Sequence, residues 1–150
     1  MYANTYPSCL RKLETLDNKL LCVLQNKPHN SPNNNVYIDY NTLSIPDLHI
    51  HQILLFVGKF IYHKHRLPGI FSNYFTLNNS VHNHDTRGSN DLHVTAVSNN
   101  YGRRSITHKA STIWTNLSTA LKDYLSINKF SKILKVFLQS DTIFLFYYYS

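Results

Sequence analysis

Apolar residues recur along this chain mainly at intervals of three and four, the spacing of one face of an α-helix. Leu10, Leu13, Leu16, Leu20, Leu21 and Leu24 form the first such series. Pro7 suits a first helical turn and Pro28 stops what precedes it, so the pattern predicts a helix from about Pro7 to Gln25. Residues 26–46 follow as a predicted loop, rich in Asn and without periodicity, with an extended piece over Val36–Tyr40. Pro46 and Asp47 open a second helix reaching to about His65. Leu48, Ile50, Ile53, Leu54, Val57, Phe60 and Ile61 make it apolar on most sides, which predicts the most buried helix of the fold. Leu67-Pro68-Gly69 ends it, and a short helical turn follows through Ile70, Phe71, Tyr74 and Phe75.

Residues 78–105 are polar and irregular and predict a long loop. A further helix is expected from about Thr107 to Tyr124 on the stripe Ile113, Trp114, Leu117 and Leu121, which makes Trp114 a core residue. The last runs from about Asn128 to Gln139, with Phe130, Ile133, Leu134 and Phe137 on one side and Lys129, Lys132 and Lys135 on the other. The expected fold is therefore mostly α: one small helical domain of four to five helices over residues 1–140, with a long polar loop. An apolar aromatic tail occupies residues 141–150; Ile143 to Tyr149 there combine high β-propensity with no charge.

Composition adjusts this picture in two ways. Charged residues are only 15% of the 150, and Asn, Ser, Thr and His fill the surface instead, which limits solubility. The charge that is present is uneven: residues 1–100 hold eight Lys or Arg against six Asp or Glu, and residues 101–150 hold seven against two. A net +7 concentrated in the last third is the footprint of a polyanion partner. Cys9 and Cys22 on one helix would stand about 20 Å apart, too far for a disulfide, so both are expected as thiols. That usage fits an intracellular address, cytoplasmic or nuclear. No apolar run approaches a membrane span, and Asp17, Asn18 and Lys19 interrupt any leader-like core, so no membrane partner is expected.

Candidate catalytic groups do not assemble. The pairs His49/His51, His63/His65 and His82/His84 are each His-x-His, a spacing whose rings diverge on a helix, and no Cys pair or carboxylate cluster completes a tetrahedral set. Tyr37-Ile38-Asp39-Tyr40 is similar to a polymerase Tyr-x-Asp-Asp, but two-metal phosphoryl transfer needs several converging carboxylates. Neither a nucleophile elbow nor a Gly-rich phosphate loop occurs. The reading is no catalytic residue, no metal, no cofactor and no small-molecule substrate. What remains is the stretch Tyr101, Arg103, Arg104, His108, Lys109 and Trp114, where cations suit phosphates and an aromatic face suits an unpaired base, although the helical spacing of Trp114 with Leu117 and Leu121 favours a core place for it.

Taken in order, these segments resemble the C-terminal region of non-LTR (LINE-type, Jockey/CR1-like) retrotransposon polyproteins, beyond the reverse transcriptase core. The resemblance covers about Tyr6 to Leu138. It rests on Tyr6-Pro7-Ser8, the series Tyr40 to Leu48, Leu67-Pro68, Phe71, Tyr74-Phe75 and His82 before Asp85-Thr86-Arg87, then Tyr101-Gly102-Arg103-Arg104-Ser105, Trp114, Leu117 and the Phe130/Leu134 helix. Thr115 stands where the pattern has Asn, and Ser118 where it has Pro. The resemblance implies a non-catalytic segment that follows a polymerase whose acidic residues lie elsewhere. Its implied partners are the element's RNA or target DNA and, by packing, a reverse transcriptase core. Arg87, Arg103, Arg104 and Lys109 would meet phosphate, with Lys129, Lys132 and Lys135 as a second basic face. The alternative expectations are a helical packing module without nucleic acid, or a relic of the element without function.

Overall fold

A computed structural model describes residues 7–28, 31, 33–81 and 88–140. The fold is mostly helical. Its helices are α1 (Pro7–Leu24), α2 (Asn33–Asp39), α3 (Ile45–Tyr62), α4 (Asn78–Val81), α5 (Asn100–Arg104), α6 (Ile106–Asn116), α7 (Thr119–Lys122) and α8 (Ile127–Ser140). Short 3-10 turns cover Lys64–Arg66 and Gly69–Phe71. Among the described residues there is no sheet, only one antiparallel bridge between Leu77 and Leu92. The chain divides into two compact units, residues 1–51 with 132–150, and residues 52–131, so the boundary falls within α3 and within α8.

In the first unit α1 packs on α2 through a buried cluster of Leu21, Cys22, Val36 and Tyr37. The Tyr37 hydroxyl donates to Asp17 Oδ2 at 2.9 Å, and Gln25 Nε2 donates to the Val36 carbonyl at 2.7 Å. Burial, then the bond and the charge of Asp17, push the Tyr37 phenol well above its ordinary range. Lys27 pairs with Asp39. The helix at Asn33–Asp39 replaces the loop and extended piece that composition predicts there. Three successive asparagines are poor helix formers, but burying Val36 and Tyr37 against α1 outweighs that propensity. Both α1 and α2 end in the same way. Asn26 (φ 55°) and Asn41 (φ 50°) take the left-handed conformation. The amides of Lys27 and Thr42 then reach back to the Cys22 and Tyr37 carbonyls, each at 2.9 Å. These are Schellman closures with Asn in the place Gly usually takes. On α8, Lys135 Nζ donates to the Asn41 carbonyl and Gln139 Nε2 to that of Thr42, so α8 satisfies the turn after α2.

Ser44 starts α3 as its N-cap: its Oγ accepts from the Asp47 amide at 3.3 Å and donates to the carboxylate of Asp47, an acid in the first turn. Burial pushes the Asp47 carboxyl up and the Ser44 hydroxyl pulls it back.

The second unit is built on α3 from Gln52 onward. Leu54 and Val57 are fully buried, as a helix apolar on most sides requires. Phe56, Phe60, Phe71, Tyr74 and Phe75 form an edge-to-face cluster with centroids 5.1 to 5.6 Å apart, which fastens the chain after α3 to its parent helix. α3 ends at Tyr62, three residues before the expected end. There the Tyr62 hydroxyl donates to the Lys122 carbonyl at 2.5 Å, and His63 Nε2 lies 2.9 Å from the Leu125 carbonyl. Trp114 is buried in this unit and meets the Phe130 ring edge-on at 6.1 Å, fixing α6 against α8. The single helix expected from Thr107 to Tyr124 is two. Leu117 (ψ 141°) and Ser118 (ψ 144°) are extended, which turns the chain while keeping Leu117 and Leu121 both buried.

The polar span 78–105 is not wholly a loop: it opens with α4 and closes with α5. Amides of Asn78, Asn79 and His93 bond the carbonyls of Asp91, Ser89 and Thr76, and Lys122 pairs with Asp91 at 2.9 Å, so residues 88–93 are tied down at both ends.

Candidate nucleic-acid interface

The basic aromatic stretch of the sequence becomes α5, a one-residue break and the start of α6. Asn99 begins it, its Oδ1 accepting from the Gly102 amide at 2.7 Å. Gly102 is required here because a Cβ would stand 2.9 Å from two carbons of the Val97 side chain. Ser105 does two jobs. Its Oγ donates to the Gly102 carbonyl at 2.7 Å, closing α5, and accepts from the His108 amide at 3.2 Å, opening α6. A cap of this kind contributes about 1 kcal/mol. The effect is to hold Tyr101, Arg103 and Arg104 on one short turn immediately before Lys109.

Tyr101 is 85% exposed, an aromatic ring with almost no protein contact. Arg103 is exposed, and Arg104 and Lys109 are half-buried. The Lys109 ammonium is held below its ordinary value, first by burial and then by the nearby positive charge of Arg104. Two like charges are thus kept close on a semi-buried ledge, an arrangement that a bound anion relieves.

The sign of this effect is testable. A charge disfavoured by the fold weakens it until the proton leaves. As pH rises from the lowered Lys109 value toward the ordinary 10.5, the unfolded chain holds the proton that the folded chain has lost, so the Lys109 contribution to stability rises with pH. Lys109→Met keeps the apolar stem and removes the charge. It should raise the urea midpoint at pH 7 while weakening polyanion binding. A lower midpoint in equilibrium unfolding would mean the ammonium is stabilising where it stands.

The remaining sequence candidates fall as follows. Arg87, His82 and His84 lie outside the described residues. Lys129 and Lys132 are exposed on α8 at i, i+3. Lys135 is half-buried and engaged with the Asn41 carbonyl, which removes it from the open part of that face. Trp114 is core, not a stacking platform. Among the described residues no group of three or more His, Cys, Asp or Glu is placed to hold a metal ion. His51 is buried on α3, and the His63 and His65 rings are 6.1 Å apart at its end. Asp39 of the Tyr-Ile-Asp-Tyr segment is taken by Lys27. No described helix is long and apolar enough to cross a membrane.

One basic feature was hidden in the sequence by the helix expected to run through it. Lys64, His65 and Arg66 form an exposed 3-10 turn, with Lys64 Nζ 5.0 Å from the centre of the Phe60 ring. Beside it is an open depression of about 360 Å³ whose lining includes Phe60, Lys64, Ser72 and Phe75. The run Lys64-His65-Arg66 before Leu67-Pro68-Gly69 was the available signal.

No family model, curated protein or solved structure matches this chain.

Proposed function

We propose that this chain is a non-catalytic nucleic-acid-binding segment that takes single-stranded RNA or DNA on the α5–α6 ledge. On the resemblance described above, it would serve beside a reverse transcriptase core in a retroelement protein. The observation that carries the reading is the 85% exposure of Tyr101 on the same turn as Arg103 and Arg104. A tyrosine so exposed gives up burial and offers a flat face to an unpaired base, while the adjacent cations meet the flanking phosphates. Lys129 and Lys132 on α8 add exposed positive charge, which suits backbone contact.

The stacking part is tested by Tyr101→Ala, which removes no charge and no core contact. Binding to a single-stranded oligonucleotide should weaken about tenfold, the scale of one base–aromatic stack. Affinity for a duplex of the same length should hold. Equal loss on both, or on neither, in fluorescence anisotropy would remove the ring from the interface.

A further inference from the structure

The first helix carries an apolar stripe that is largely exposed among the described residues. Its packed face is Leu10, Leu21 and Cys22, all under 6% exposed. Leu13 is 45% exposed, Leu16 63%, Leu20 57% and Val23 63%. Their spacing is three, four and three residues, which places them at the a, d, a and d positions of two successive heptads. A core-facing helix needs a wide stripe and spends it on its core; a second stripe at the 3.5-residue period is the seam of a coiled coil.

We propose that α1 pairs in parallel with α1 of a second copy of this chain, through Leu13, Leu16, Leu20 and Val23. The charges beside the seam select the occupant and its direction. Lys12 and Lys19 stand at g positions and Asp17 at an e position. In a parallel pair, the g residue of one helix faces the e residue five places later on the other, so Lys12 of each copy meets Asp17 of its partner. An antiparallel pair brings like positions together, cation to cation and carboxylate to carboxylate. Asp17 is already positioned at that edge by the Tyr37 hydroxyl at 2.9 Å. Two heptads are short for helices that must fold as they associate. Here α1 is already ordered on α2, so pairing pays no helix-forming cost. The proposal does not depend on the nucleic-acid reading, since the seam lies on α1 and the basic ledge on α5 and α6.

The test is sedimentation of the full chain over a wide concentration range. A reversible monomer–dimer equilibrium is expected. Leu16→Glu should weaken it roughly tenfold or more, because a buried leucine pair becomes a pair of like charges. Leu16 is largely exposed in the single chain, so an unchanged far-ultraviolet spectrum confirms that the fold is kept. Lys12→Glu should also weaken the dimer, by setting glutamate against Asp17 of the second copy. A chain that stays monomeric at every concentration, whatever else covers the stripe, overturns the proposal. So does a dimer that Leu16→Glu leaves unchanged, and a dimer that Lys12→Glu leaves unchanged or tightens rules out the parallel arrangement.

Discussion

Replacing Arg103, Arg104 and Lys109 together by glutamine should weaken oligonucleotide binding on the order of 100-fold at low salt. The reasoning is additive at the level of charge. Each cation meeting a phosphate releases a condensed counterion, and a contact near the surface contributes on the order of 1 kcal/mol. The dependence of affinity on salt should flatten accordingly, its log–log slope shrinking by about 2 on a single strand. Circular dichroism of the variant, read beside the binding, checks that the helices are kept. A variant that keeps both affinity and salt slope would show that the ledge is an ordinary solvated surface.

The largest effect on stability is expected from Trp114→Ala. The indole is 2% exposed and lies against Phe130 at 6.1 Å, in the unit where Leu117 and Leu121 are also buried. Truncation removes the transfer energy of the largest side chain and leaves a cavity beside Phe130. The cost should be about 3–5 kcal/mol. Against a domain stability of roughly 5–15 kcal/mol, that is a large share of the total. Urea unfolding followed by circular dichroism reads the loss. A change under about 1 kcal/mol would mean that Trp114 is packed loosely and that the α6–α8 contact is not central.

Four of the helices could be read from periodicity, because α1, α3, α6 and α8 each carry an apolar stripe long enough to exceed chance and two of them open on proline. α2 could not. Its signal is two buried residues, Val36 and Tyr37, in an asparagine-rich segment, and only their docking on α1 makes them helical. Nor could periodicity say which side of α1 faces inward. The helix has two apolar stripes, and the leucines at 13, 16, 20 and 24 outnumber the residues that are in fact buried. The break at Leu117–Ser118 left the apolar spacing intact across it and so was invisible to a stripe count. At the candidate site, the residue types were legible and the geometry was not. Sequence supplied Tyr101, Arg103, Arg104 and Lys109, but the clash of a Cβ with Val97 at Gly102, and the double use of Ser105, are tertiary and local backbone facts. Lys135 looked equivalent to Lys129 and Lys132 until the turn at Asn41 was placed beside it.

The central claim is that the chain binds nucleic acid through this ledge. Its most direct test is a salt titration of the 150-residue chain against a fluorescent single-stranded oligonucleotide, in both RNA and DNA forms. The account predicts saturable binding at low salt, log affinity falling linearly with log salt, and a smaller slope in the triple glutamine variant. Absence of binding to either strand at low salt, or binding that salt does not weaken, would contradict it.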